Sequence, residues 1–90
     1  MGTEYGLRFE SDDPAAVVAS LRRVPLVLAT ADDLLELRAA PDQGMPDAHA
    51  RVETGGLYYC DNGGAGQQIL GLVLSALIAD FGPVTIAEAE

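Results

Sequence analysis

Residues 57–83 set the terms on which the rest of the chain can fold. Leu57-Tyr58-Tyr59-Cys60 reads as a strand, and Asp61-Asn62-Gly63-Gly64-Ala65-Gly66 as a glycine-rich turn. A long apolar helix follows without a spacer, closed by Phe81-Gly82-Pro83. In that helix Ile69, Leu70, Leu72, Val73, Leu74, Leu77, Ile78 and Phe81 occupy most of the circumference. The gap is a narrow stripe of Gln68, Gly71, Ser75 and Ala79, spaced three and four apart. A helix lying on a sheet normally shows a broader polar face. Small residues in line let another backbone approach closely. The spacing therefore predicts burial on a second side, either under another helix and loops or in an interface with another chain.

The turn sits where backbone N–H groups and a helix N-terminus can hold an anion, which makes Asp61, Asn62, Gly63 and Gly64 candidate ligand-binding residues. It falls short of the dinucleotide fingerprint Gly-x-Gly-x-x-Gly, because Gly64 and Gly66 fit but Ile69 stands in the third place. A P-loop needs a lysine, and the chain has none. The favoured reading is a tight strand-to-helix connection with Asp61 or Asn62 near the cap.

Upstream, Tyr5, Leu7 and Phe9 alternate with polar or small residues, the period of a half-buried strand. Ser11-Asp12-Asp13-Pro14 then starts a helix, with an aspartate to cap it and proline suited to its first turn. Val17, Val18, Leu21 and Val24 share one face, Arg22 and Arg23 suit the C-terminal end, and Pro25 stops the helix. Residues 26–39 read as two strands joined at Ala31-Asp32-Asp33, with strand plus helix as the alternative. Residues 40–47 form a breaker-rich loop. Extended chain resumes from Ala48 to Asn62, and Gly55-Gly56 is either a hairpin turn or a bulge. A last strand spans Val84 to Ala87, and Glu88 to Glu90 fray.

Ninety residues make one domain. The order strand, helix, two or three strands, helix, strand is the pattern of an α+β two-layer sandwich of the ferredoxin-like, split βαβ kind. Its antiparallel sheet would carry two helices on one face.

Chemistry-bearing residues are sparse. One cysteine and one histidine exclude a disulfide framework and the usual zinc ligand sets. Cys60 reads as a buried structural thiol, although His49 could reach it across strands; no third group completes a Cys-His nucleophile. Asp12-Asp13 and Asp32-Asp33 are acidic pairs at element boundaries, explained by capping and turn chemistry but also able to form part of a negative face. The expectation is of no metal, no cofactor and no enzyme activity.

Fourteen acidic residues against five arginines give a net charge of −9. Such a field repels nucleic acid and anionic membranes and attracts a basic partner. The start shows no basic region followed by an apolar run, and no apolar run is long enough to cross a bilayer, so a soluble cytoplasmic protein is expected. The functional expectation is an acidic binding protein that masks a basic site on another protein, in the manner of an immunity protein, antitoxin or small inhibitor. Asp12, Asp13, Asp32 and Asp33 would contribute its acidic surface. The alternative is a small-ligand regulatory module acting as a homodimer, with the 61–66 turn and the helix stripe as its sites.

Overall fold

The computed structural model describes residues 2–31, 34–42 and 44–89. In chain order the elements are β1 (Thr3–Arg8), α1 (Pro14–Arg22), β2 (Val27–Ala31), β3 (Leu34–Arg38), β4 (Ala48–Glu53), β5 (Gly56–Asp61), α2 (Gly66–Phe81) and β6 (Thr85–Ala89). All six strands join one sheet in the order β2-β3-β4-β5-β1-β6, and every neighbouring pair is antiparallel.

The class is therefore α+β, as the element pattern predicts. The sheet differs from the expected split βαβ arrangement in strand order and helix placement. Between the helices lie four strands rather than two or three, because β2 pairs with β3 and β4 with β5, both antiparallel. The second pair turns at Thr54-Gly55, with Gly55 at φ 69°, so the choice between turn and bulge resolves to a turn. Gly56 opens β5 instead of sharing the turn. A side chain there would collide with the Leu7 carbonyl of β1. The last strand runs further than expected: Glu88 pairs with Tyr5, so it is held in the sheet rather than frayed.

The pleat separates two chemistries. Leu7, Leu35, Leu37, Ala48, Ala50, Leu57 and Tyr59 point to one side and are buried. There they join Val17 and Leu21 of α1 and Ile69, Leu70, Val73 and Leu77 of α2 in one core. The helices lie against each other, and the buried Ser20 hydroxyl donates to the Ala76 carbonyl across the contact. Phe9 and Phe81 close one end with rings 5.3 Å apart. Among the described residues, no helix is long and apolar enough to cross a membrane.

Alternate residues on the same strands point the other way. By register, Glu4, Arg8, Glu36, Arg38, His49, Arg51, Glu53, Tyr58 and Cys60 lie on the opposite face. Its three arginines match its three glutamates, and two pairs, Arg38–Glu36 and Arg51–Glu53, are in contact. This face is electrically balanced, so the excess of nine negative charges lies elsewhere on the chain.

Leu77 is fully buried where α2 meets both the sheet and α1. Leu77→Ala is expected to cost about 3 kcal/mol, the usual range for a buried leucine that leaves a partly collapsed cavity. Urea denaturation followed by circular dichroism measures this, and a loss below about 1 kcal/mol would show that the core is not centred there.

Candidate functional site

The glycine-rich turn is filled by the chain's own carboxylates. Asp61 turns back on the residues after it: one carboxylate oxygen accepts from Gly63 N at 2.8 Å, the other from Gln67 Nε2 at 2.8 Å. Asp47 arrives from the loop before β4 and accepts from Ala65 N at 3.3 Å and from Ala39 N at 3.0 Å. Both aspartates are 8 % exposed. No side chain of α2 caps its own N-terminus. Asp61 and Asp47 instead take the N–H groups leading into the helix, at Gly63 and Ala65, and negative charge is favourable at the positive end of a helix.

This arrangement explains the glycines by space rather than by ligand. A Cβ on Gly66 would run into the Asp61 carboxylate and meet the Asp47 carbonyl; one on Gly64, at φ 56°, would meet the Asp47 carboxylate. An incoming anion would have to displace two carboxylates that are already hydrogen bonded. The turn that sequence marked as a possible ligand site is thus a self-occupied anion site.

Asn62, the other polar residue of the turn, ties the open sheet face to the same loop. Its backbone N–H donates to the Asp47 carbonyl at 2.9 Å. Its side-chain nitrogen donates to the Pro46 carbonyl at 3.3 Å and lies 2.8 Å from His49 Nδ1, while its oxygen accepts from the Cys60 thiol at 3.4 Å. The sheet register sets His49 directly opposite Cys60, so the cross-strand approach imagined from sequence is real. Asn62 stands as the bridge between the two. Because an amide nitrogen only donates, His49 Nδ1 is the acceptor in this contact. Nδ1 is thereby engaged and is not free to take the thiol proton. Nearby, Arg51 lies over the Tyr58 ring at 5.0 Å. Burial, helped by Cys60 and Glu4, pushes the Tyr58 phenol up to about 12. Among the described residues, no group of three or more His, Cys, Asp or Glu is placed to hold a metal.

The acidic pairs separate on inspection. Asp13 caps α1, accepting from Ala15 N at 3.0 Å. Asp12 is exposed and lines an open cleft of about 570 Å³ between the β1–α1 connection and the β4–β5 turn, together with Phe9, Glu10, Ser11, Thr54 and Gly55. A contiguous recess of about 200 Å³ adds Glu53 and the apolar floor of Val17 and Val52. Asp32 and Asp33 fall outside the described residues. No arginine lines the cleft, and Glu10 and Asp12 have no ion-pair partner among the described residues. Glu53 shares Arg51 at 3.7 Å. Sequence reading passed over Glu10 and Glu53. Their signal was that both flank breakers, Ser11 on one side and Thr54-Gly55 on the other, but only the fold brings those breakers together.

The stripe of Gln68, Gly71, Ser75 and Ala79 is exposed along its whole length. Leu72 and Ile78 flank it at 41 % and 52 % exposure. The first helix covers the side of α2 that carries Ala76 and Leu77 and leaves this one open.

Three outcomes are expected here. Gly66→Ala should destabilise by more than 1 kcal/mol in urea denaturation, although intrinsic helix propensity alone favours alanine by about 1 kcal/mol; a gain in stability would mean that the carboxylates do not occupy the turn. Tyr59→Phe, which removes the 2.7 Å bond from the phenol to the Gly66 carbonyl, should cost about 1–2 kcal/mol. Burial raises the Tyr59 phenol strongly, with the Asp61 and Asp47 charges adding to it, and Tyr58 is raised from 10.0 to about 12. The folded state therefore disfavours both phenolates. The stability they contribute is intact below pH 10 and is lost as pH climbs from 10 towards 12. The chain has no lysine to blur this window. A urea midpoint that stays flat between pH 9.5 and pH 11.5 would contradict the assignment. Comparison with known proteins gives no match to any family model, curated protein or solved structure, so the functional reading rests on the geometry and charge of these surfaces.

Proposed function

We propose that this chain is an acidic binding protein without catalytic activity, one that covers a basic site on another protein. The observation that carries the reading is the cleft lined by Glu10, Asp12 and Glu53. It is concave, it has polar hydroxyls at Ser11 and Thr54 and apolar walls at Phe9 and Val52, and it has no arginine among its lining residues. A guanidinium or ammonium group on a long side chain suits such a cleft, with its alkyl stem on the apolar wall and its charge among the carboxylates. The net charge of −9 would speed encounter with such a partner and repel nucleic acid. An immunity protein, an antitoxin or another small inhibitor works in this way.

The split βαβ reading of the fold belongs here as well. With β2 and β3 taken as a hairpin added at one edge, the other strands run β6-β1-β5-β4, an order compatible with a ferredoxin-like core. The competing reading, a small-ligand module binding at the 61–66 turn, needs an anion to displace Asp47 and Asp61 and is the weaker of the two.

Titration of the labelled protein with an oligo-arginine peptide, followed by amide NMR, tests the proposal. Shifts should concentrate at residues 9–13 and 52–55. Affinity should fall several-fold between about 50 and 200 mM salt, as expected for exposed charges separated by about a Debye length. The combined change Glu10→Gln, Asp12→Asn and Glu53→Gln should abolish the response. Shifts spread evenly over all acidic residues, or binding indifferent to salt, would overturn it.

A further inference from the structure

Most of the outward face of α2 is free of charged residues. From Gly66 to Ala79 the helix has no ionisable residue, and its single charged residue, Asp80, is paired with Arg23 of the α1 C-terminus. On this face lie two of the large apolar side chains that the fold leaves exposed, Leu72 and Ile78. Beside Leu72 runs a groove of about 390 Å³ lined by Val24, Pro25, Ser75, Ala76 and Ala79 and by the paired Arg23 and Asp80. Gly71 adds an independent point. A glycine inside an exposed helix weakens it by about 1 kcal/mol relative to alanine. The space around Gly71 is empty to 4 Å, so nothing within the monomer requires it.

We infer that this face is a homodimer interface in which α2 packs antiparallel against α2 of a second copy, with the crossing centred on Ser75. The occupant follows from charge and from shape. Two copies carrying −9 each repel wherever their acidic surfaces meet. The open sheet face is balanced, but it would bury six charged side chains, whereas on the α2 side only Arg23 and Asp80, paired with each other, line the groove. At helical spacing, Leu72 and Ala79 fall on one flank of Ser75, and Gly71 and Ile78 on the other. A two-fold axis across Ser75 then sets each large residue against a small one: Leu72 over Ala79 of the second copy and its adjoining groove, Ile78 over Gly71 of the second copy. The pattern is self-complementary, as an isologous contact requires. Small residues at the crossing allow the close backbone approach that gives Gly71 a purpose. Antiparallel helices also align their dipoles favourably.

This inference stands apart from the acidic cleft, which lies at the other end of α1 from the groove, and its salt dependence has the opposite sign. Self-association through a face mostly free of charge between like-charged molecules strengthens as salt screens their repulsion. Light scattering after size exclusion tests it across a concentration series and at about 50 and 500 mM salt. The mass should move from 9.4 kDa towards twice that value as concentration or salt rises. Ser75→Glu, an exposed change that places two carboxylates against each other at the axis, should hold the chain at the monomer mass with an unchanged circular dichroism spectrum. If that variant loses helix signal, Ile78→Glu on the same face takes its place. In a Cys60→Ser background, Ser75→Cys should form a covalent dimer under mild oxidation. A wild-type mass of 9.4 kDa at every concentration and salt, or a Ser75→Glu protein that still dimerises, would overturn the inference.

Discussion

Two buried carboxylates hold this structure at the point where sheet, loop and helix meet. Asp61 ends β5, Asp47 precedes β4, and between them they take up N–H groups at Gly63, Ala65 and Ala39. Buried charge is costly unless it is hydrogen bonded, and here the partners include the amides of the turn that leads into α2. The Asp47 carbonyl also receives Asn62 N, and the Tyr59 phenol fixes the Gly66 carbonyl from below. The most hydrophobic helix of the chain is placed over the sheet by a polar joint, and core packing against Ile69, Val73 and Leu77 follows from that placement.

Much of the fold was legible because it rests on local patterning. The strand alternation of Tyr5, Leu7 and Phe9, the Asp13-Pro14 helix start, the two strands within residues 26–39 and the apolar α2 all follow from spacing and turn chemistry within a few residues. The strand order did not, since pairing β5 with β1 and β1 with β6 joins segments tens of residues apart that no local signal links. The meaning of the glycine turn was hidden for the same reason. Asp61 is visible beside Gly63, but Asp47 reaches the turn from eighteen positions before Ala65, out of what reads as a breaker-rich loop. Glu10 and Glu53 were missed as partners in one cleft because only the pairing of β1 with β5 and the turn at Gly55 sets them side by side.

Charge is distributed by face rather than evenly. The open side of the sheet balances three glutamates with three arginines, and Asn62 bridges His49 and Cys60 there. From Gly66 to Ala79, α2 carries no charged residue. The negative excess lies elsewhere on the chain, including the corner where Glu10 and Asp12 line a cleft. On the proposed readings, the acidic concavity would take a cationic group and the uncharged stretch of α2 an apolar contact.

All of this depends on the turn being occupied from within, since a vacant anion site at the start of α2 would make the glycines, and not the outer surfaces, the place to look for function. Hydrogen exchange at the Gly63 and Ala65 amides measures that occupancy directly. If Asp61 and Asp47 hold them, both amides exchange only through large-scale opening, at rates close to those of the α2 core amides, and added inorganic phosphate leaves those rates unchanged. Exchange as fast as in a free loop, or protection that appears only with phosphate, would contradict the account.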